Sequence, residues 1–135
     1  MTELQVGVKA LLRNGEGKFL LMRRNPEKYP EVGAAWDIVG GRIDPGSPLM
    51  ENLKREIKEE TGLDLEEEPR LVAAQDILRV TNRHVIRLTY VGTIEGTPTI
   101  DGDHTEWKFF SSAEIKKLEK LDIYVKELIQ RGTIL

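Results

Sequence analysis

Glu56, Glu59 and Glu60 stand at i, i+3 and i+4 in the run Arg55-Glu56-Ile57-Lys58-Glu59-Glu60-Thr61-Gly62-Leu63. A helix turns by about 100° per residue, so the three carboxylates project to one side within a single turn. Like charges gathered that closely repel one another, and a divalent cation relieves the repulsion. Hard carboxylate oxygens suit Mg²⁺, with Mn²⁺ as a substitute, better than they suit a metal that prefers nitrogen or sulfur. The chain has no cysteine and only two histidines, His84 and His104. Thiolate nucleophiles, disulfides and a zinc site of dispersed histidines are thereby set aside.

The carboxylates also sit at a telling place on the helix. With Leu49 as the zero of a helical wheel, Leu53, Ile57 and Met50 fall at roughly 40°, 80° and 100° and define a buried stripe. Glu51, Lys54 and Lys58 take the opposite face. Glu56 and Glu60 fall at roughly −20° and +20°, on the edge of the apolar stripe, which an ordinary solvated charge run avoids. A surface helix with i,i+4 ion pairs such as Arg55 with Glu59 is the alternative, and the glycine pair Gly40-Gly41 upstream counts against it.

Gly41, Arg55, Glu56, Ile57, Glu59, Glu60, Gly62 and Leu63 match, in register, the Nudix box G-x5-E-x7-R-E-U-x-E-E-x-G-U, where U is a bulky aliphatic residue. The stretch Gly41 to Leu63 thus resembles that box. One position departs: Ser47 stands where the family has its first glutamate, so the support that glutamate gives is missing or comes from elsewhere. The resemblance implies that Glu56 and Glu60 are the primary ligands of Mg²⁺ and that Glu59 is a further ligand or base. It also implies that the Gly40 carbonyl reaches the metal and that Arg55 orients a glutamate. His104-Thr105-Glu106-Trp107 is similar to a segment where MutT-like members carry an additional glutamate followed by tryptophan. Glu106 is then a fourth carboxylate at the metal or the general base. A surface residue beside a core tryptophan is the other reading of Glu106.

The same resemblance implies substrate contacts. Arg23 is placed where the family often has an arginine for phosphate or base, although strand alternation sends only one of Arg23 and Arg24 to the site. Arg83 is expected to approach the nucleobase, or else to bond locally in a turn. Trp36 stacks a base or belongs to the core. Asp122 lies near the position of a base-reading amide in MutT-like members. Markers of the ADP-ribose, dinucleoside polyphosphate, NADH and coenzyme A subgroups are absent, as is the cysteine of isopentenyl diphosphate isomerase chemistry. The implied activity is a Mg²⁺-dependent pyrophosphohydrolase acting on a nucleoside diphosphate linked to another moiety. By elimination the substrate is a nucleoside triphosphate, oxidised ones included, cut to a monophosphate and pyrophosphate. An ADP-ribose or nucleotide-sugar hydrolase is the alternative. A non-catalytic nucleotide-sensing module on the same fold, for which Ser47 is the hint, is the alternative of another class.

Bulk properties set limits on partners. The 135 residues are expected to form a single Nudix hydrolase domain over 1–135. A net charge of −3 leaves no broad basic surface for a nucleic-acid polymer, so phosphate must be met locally, in a small-molecule nucleotide. The start, Met1-Thr2-Glu3-Leu4, lacks a basic region followed by a long apolar run, and no segment reaches membrane-spanning length, so a cytoplasmic location is expected.

The order of elements must bring these residues together. Alternation at Val6, Val8, Ala10 and Leu12 predicts a strand, turned by Asn14-Gly15-Glu16-Gly17 into a second over Lys18 to Arg24. A loop over Asn25 to Ala35 leads to a short strand over Trp36 to Val39, and Gly40-Gly41 is expected to bend tightly before Pro48 opens the box helix and Gly62 closes it. Long strands follow over Arg70 to Val80 and His84 to Glu95, then a strand over Glu106 to Phe110. Ser111-Ser112-Ala113-Glu114 is a capping box for a helix that breaks near Leu121-Asp122 and resumes to Gln130. The class is α+β, a mixed sheet with the box loop and helix against it, and it resembles the Nudix α/β/α sandwich. The apolar strand over Val85 to Val91 offers a surface for a homodimer.

Overall fold

The structure, a computed structural model, describes residues 1–30 and 33–135; the part of the Asn25 to Ala35 loop at 31–32 lies outside the described residues. Among the described residues seven strands and three helices follow in the order β1 (Glu3–Arg13), β2 (Phe19–Arg24), β3 (Trp36–Asp37), β4 (Val39–Arg42), α1 (Leu49–Thr61), β5 (Arg70–Ile77), β6 (Arg83–Thr93), β7 (His104–Phe110), α2 (Ser112–Lys116) and α3 (Ile123–Gln130). The first turn forms as its residues dictate: the Asn14 side-chain oxygen accepts from the backbone N–H groups of Glu16 and Lys18, and Gly17 takes a positive φ of 77°.

The sheet is mixed. Its strands run β3-β2-β1-β6-β5, with β4 paired to β1 and β7 paired to β2. β1 and β6 are parallel along their whole length, from Glu3 opposite Arg83 to Arg13 opposite Thr93. Alternation along β1 divides the apolar interior in two. Val8, Ala10 and Leu12 face α1, where they meet Leu53 and Ile57. Leu11 faces the other way, toward Ile115, Val125 and Leu128 of α2 and α3. The result is the expected α+β sandwich, a sheet with helices on both faces.

Local departures from the sequence pattern have physical reasons. Gly40 and Gly41 do not turn the chain. They continue an extended strand, with Gly40 opposite Lys9 and Gly41 opposite Val8. Their role is close approach: a Cβ on Gly40 would lie 2.0 Å from the Val8 carbonyl oxygen, and its φ is +143°. The turn comes later, at Asp44-Pro45-Gly46-Ser47, where the Ser47 N–H donates to the Asp44 carbonyl at 3.1 Å and Gly46 has φ 86°. β5 ends at Ile77, short of Val80, and Asn82 takes a left-handed φ of 63° before β6. The capping box at Ser111 and Glu114 forms, but its helix stops at Lys116. The buried stripe of α1 is rotated toward Asn52, Glu60 and Thr61, and Leu49 is exposed. β6 lies between β1 and β5 with Val85 and Tyr90 buried, so the Val85 to Val91 segment is interior and offers no free edge to a second copy.

Gly40→Ala tests the close approach. Its Cβ meets backbone, which no side-chain rotation relieves, and a loss of about 2–4 kcal/mol is expected. Gly15, with nothing near its Cβ position, is the control. Urea unfolding should show a lower midpoint for Gly40→Ala and little change for Gly15→Ala; equal midpoints would rule out the steric role.

Candidate active site

A cleft of about 620 Å³ opens on the α3 side of the sheet and reaches through the glycine strand to α1. Gly40 and Gly41 line it, and so do Glu56 and Glu60. The absence of side chains on β4 lets this happen. A Cβ on Gly41 would come within 2.7 Å of Glu56 Oε2, so the glycine leaves space that the carboxylate fills. The Gly40 N–H donates to Glu60 Oε2 at 2.8 Å. Leu53 and Ile57, one helical turn apart and fully buried, fix the rotation of α1 that aims Glu56 and Glu60 at this strand.

Glu60 is buried, and its carboxyl is pushed up to about 8. Desolvation is the largest cause, with Glu56 and Asp101 adding to it; Lys9 and the Gly40 N–H oppose it but do not overcome it. Asp101 and His104 stand beside Glu60, with one donor atom from each of the three within 4.8 Å of the others. His104 Nδ1 lies 2.7 Å from Asp101 Oδ1. The donor set fits a hard divalent cation. A buried carboxylate short of positive charge, with a second carboxylate beside it, is what such an ion would stabilise.

Arg55 holds the outer side of this cluster. Its guanidinium bonds Asp44, meets Glu56 Oε1 at 3.1 Å and lies 3.7 Å from Glu59 Oε1. Asp44 is itself set by Asn52, a fully buried residue whose Oδ1 accepts from the Asp44 N–H and whose Nδ2 donates to the Pro48 carbonyl. Asp44 thus supplies a carboxylate to Arg55 in a chain that carries Ser47 at the box position. Glu59 is exposed and stands outside the cleft lining.

The floor of the cleft is a buried ion cluster. Asp37 accepts from Lys9 at 3.1 Å, from Arg24, and from Arg87 at 3.0 Å. Arg87 also meets Asp122 at 3.1 Å. Burial alone would raise the Asp37 carboxyl, but the three cations outweigh it and hold the group far below the usual carboxylate range. The Arg87 Nε has no hydrogen-bond partner among the described residues.

The other sequence candidates divide. Arg83 lines the cleft at the start of β6. Arg24, not Arg23, lines the cleft, because alternation along β2 sends the two to opposite faces. Arg23 turns outward, donating to Glu106 at 2.9 Å and to the Ala34 carbonyl at 3.0 Å and lying over Trp36. Glu106 is exposed in that pair, outside the cleft lining. Trp36 packs edge-on against Phe110 at 5.0 Å, within the α3-side interior. Asp122 is buried; it caps α3 by accepting from the Tyr124 and Val125 N–H groups, and its remaining contact is Arg87.

Lys9, Asp37, Arg87, Asp101 and Tyr124 escaped the sequence pattern. A signal for three of them exists: each is a lone charge inside an apolar strand, Lys9 in Val8-Lys9-Ala10, Asp37 in Trp36-Asp37-Ile38 and Arg87 in Ile86-Arg87-Leu88.

Glu60 makes a pH prediction. Its folded value lies above the ordinary 4.5, so the stability it contributes is complete below that value and is lost as pH rises through about 8. Asp37 acts in the opposite sense: its contribution is present at neutral pH and is lost only in acid. The thermal midpoint of the ion-free protein, measured in chelator, should fall between about pH 5 and 9, and Glu60→Gln should flatten that fall. Parallel curves for the two proteins would show that Glu60 keeps an ordinary affinity for protons.

Comparison with known proteins follows the geometry. The family model described as the NUDIX domain matches residues 3–131. The solved structure of a MutT protein from Methanosarcina mazei Go1 superposes with a TM-score of 0.84 at 28% identity, covering 96% of this chain and 93% of that one. A MutT NUDIX hydrolase from Burkholderia pseudomallei has a TM-score of 0.77 at 24% identity, over 95% of this chain and 97% of that one. A UDP-X diphosphatase shares the fold with a TM-score of 0.70 at 21% identity, over 99% of this chain and 66% of that one. Comparison with curated proteins returns no match.

Proposed function

The chain belongs to the NUDIX family, whose members hydrolyse nucleoside diphosphates linked to another moiety, and from that premise we propose that it cuts a nucleoside triphosphate, oxidised ones included, to a monophosphate and pyrophosphate. That it is a pyrophosphohydrolase follows from the family; the triphosphate substrate, Mg²⁺ as the ion and the residue roles are our assignment. We read residues 1–135 as one Nudix domain working in the cytoplasm. Among the described residues no helix is long and apolar enough to cross a membrane.

One observation carries the assignment: a buried, cation-poor carboxylate, Glu60, opens with Glu56 onto a cleft whose other walls are basic. Glu56 and Glu60 would hold Mg²⁺ beside the backbone of Gly40, with Asp101 and His104 close enough to Glu60 to join them. Bound there, the ion supplies charge neutralisation on the diphosphate and activation of a water.

The chain's own groups do the rest. Arg55 keeps the Glu56 carboxylate turned into the cleft, and Asp44 keeps Arg55 in place. Arg24 and Arg83 line the cleft beyond the α1 carboxylates, where a guanidinium fork can meet two oxygens of the substrate's outer phosphoryl group at once. Glu59 and Glu106 are outer members of the acidic set, each engaged by an arginine. Arg23, Trp36 and Asp122 support the cleft through packing and ion pairing rather than by facing it.

A nucleotide panel with Mg²⁺ present or chelated, read by product identity, tests the activity. Monophosphate and pyrophosphate from a triphosphate, and nothing under chelation, are expected. Glu56→Gln and Glu60→Gln should each lower kcat by roughly 10²–10⁴-fold, with smaller losses for Glu59→Gln and Glu106→Gln. Turnover of any nucleotide in full chelation would refute the metal-dependent assignment.

Asp44 makes a separate prediction. Asp44→Asn should weaken Mg²⁺ binding, measured by calorimetry without substrate, by roughly 3–30-fold, an outer-contact effect at an exposed pair. Adding Ser47→Glu should restore it by giving Arg55 another carboxylate. Undiminished binding in Asp44→Asn would show that Arg55 needs no anchor.

A further inference from the structure

Basic residues are concentrated in the cleft far beyond their share of the chain. Seven of the 20 lysines and arginines line it, against three of the 23 acidic residues, in a protein of net charge −3. Two of those three acids, Glu56 and Glu60, belong to the α1 end. Away from α1, the floor and the wall rising from it carry Lys9, Arg24 and Arg87 packed around Asp37, with side-chain exposures of 13%, 16% and 3%. Asp37 and Asp122 together balance two of these three charges, and among the described residues the Arg87 Nε has no acceptor. Arg42, Arg79 and Arg83 then add three more cations at the rim.

Positive charge gathered in a concave, partly desolvated site destabilises the empty protein and attracts an anion. The crowding shows in the lining itself, where Arg24, Arg42 and Arg83 share one cavity with Lys9 and Arg87. The aromatic surface here is already engaged, since Arg79 and Arg87 lie over the Tyr124 ring at 5.6 and 5.7 Å. A neutral sugar would bring acceptors but no countercharge to these cations, whereas a phosphoryl group would bring both.

We propose that this wall, Lys9, Arg24 and Arg87 with the rim arginines Arg42, Arg79 and Arg83, is a binding site for a phosphoryl group beyond the two that flank the hydrolysed bond. The site rests on the pyrophosphohydrolase assignment and sharpens it: the enzyme selects by charge on the group attached to the nucleoside diphosphate. The extra phosphoryl comes either from a third link in the chain, as in a nucleoside triphosphate, or from a phosphate ester on an attached sugar.

The test compares kcat/KM for three substrates: a nucleoside triphosphate, a nucleoside diphosphate bearing a neutral sugar, and one bearing a phosphorylated sugar. The neutral-sugar substrate should be the poorest by roughly 100-fold, the worth of one or two charged hydrogen bonds. The better of the other two identifies the source of the phosphoryl group. Arg42→Gln and Arg83→Gln, at the rim where folding is not at stake, should each shrink that preference about tenfold, mainly through KM. Equal use of all three substrates, or variants that lower every substrate alike, would overturn the proposal. Inorganic tripolyphosphate in excess chelator supplies a reading independent of turnover. It should raise the thermal midpoint of the wild type and do so less for the two variants. No shift in the wild type would overturn the site even if hydrolysis were found, while a shift without any hydrolysis would uphold the site and count against the catalytic assignment.

Discussion

One glycine, Gly40, lets β4 lie against β1, and the next, Gly41, leaves room for the Glu56 carboxylate, and both halves of the cleft depend on that pair. β4 presses so closely onto β1 that a single methyl group at Gly40 would enter the Val8 carbonyl. Because nothing projects from Gly40 or Gly41, the carboxylates of α1 on one face of the sheet communicate with Lys9 and Arg24 on the other. The Gly40 N–H, freed to point at Glu60, joins the helix to the strand directly. A bend at these positions would have separated acids from bases by the thickness of a sheet. An extended strand brings them within one cavity.

The second constraint is electrostatic. Burying Asp37 with Lys9, Arg24 and Arg87 takes four charges largely out of water, which is costly unless every partner is well placed. An apolar cluster of similar volume would hold β1, β2, β3 and β6 together without that cost. What apolar residues could not do is fix three cations in known orientations at the floor of a cleft. Asp122 extends the arrangement to α3, capping the helix with the same carboxylate that meets Arg87. The placement of α3 and the orientation of the floor arginine are therefore coupled through a single side chain.

Much of the site was legible in the chain because it is local. The i, i+3, i+4 spacing places Glu56, Glu59 and Glu60 on one flank of α1 whatever the rest of the fold does, and the structure separates buried Glu60 from exposed Glu59 only because the stripe is rotated toward Thr61. The order of strands and helices was legible for the same reason, from alternation, turn residues and the Ser111 capping box. What local pattern did not carry was long-range register. Alternation along β2 separates Arg23 from Arg24, but which of the two faces belongs to the cleft is settled only by how the sheet is assembled. Gly40-Gly41 has the composition of a turn, and only its pairing with β1 shows that it is a strand. Asp37, Lys9 and Arg87 come from three strands distant in sequence, so their meeting is a property of the sheet order alone.

Net charge illustrates how an average conceals function. A net charge of −3 suggests a chain without concentrated positive charge, yet its basic residues are unevenly placed. They are not spread thinly over an acidic exterior; a third of the basic side chains are drawn into one concavity, where walls of low polarizability concentrate their field. Burial is the main cause of the raised carboxyl of Glu60, and the segregation of charge leaves it uncorrected. Lys9 lowers it, but Lys9 is already committed to Asp37, so the carboxylate at the α1 end remains short of positive charge beside a wall that has an excess. A divalent ion at one end and a phosphoryl-rich substrate across both would correct the two imbalances together, and neither would do so alone.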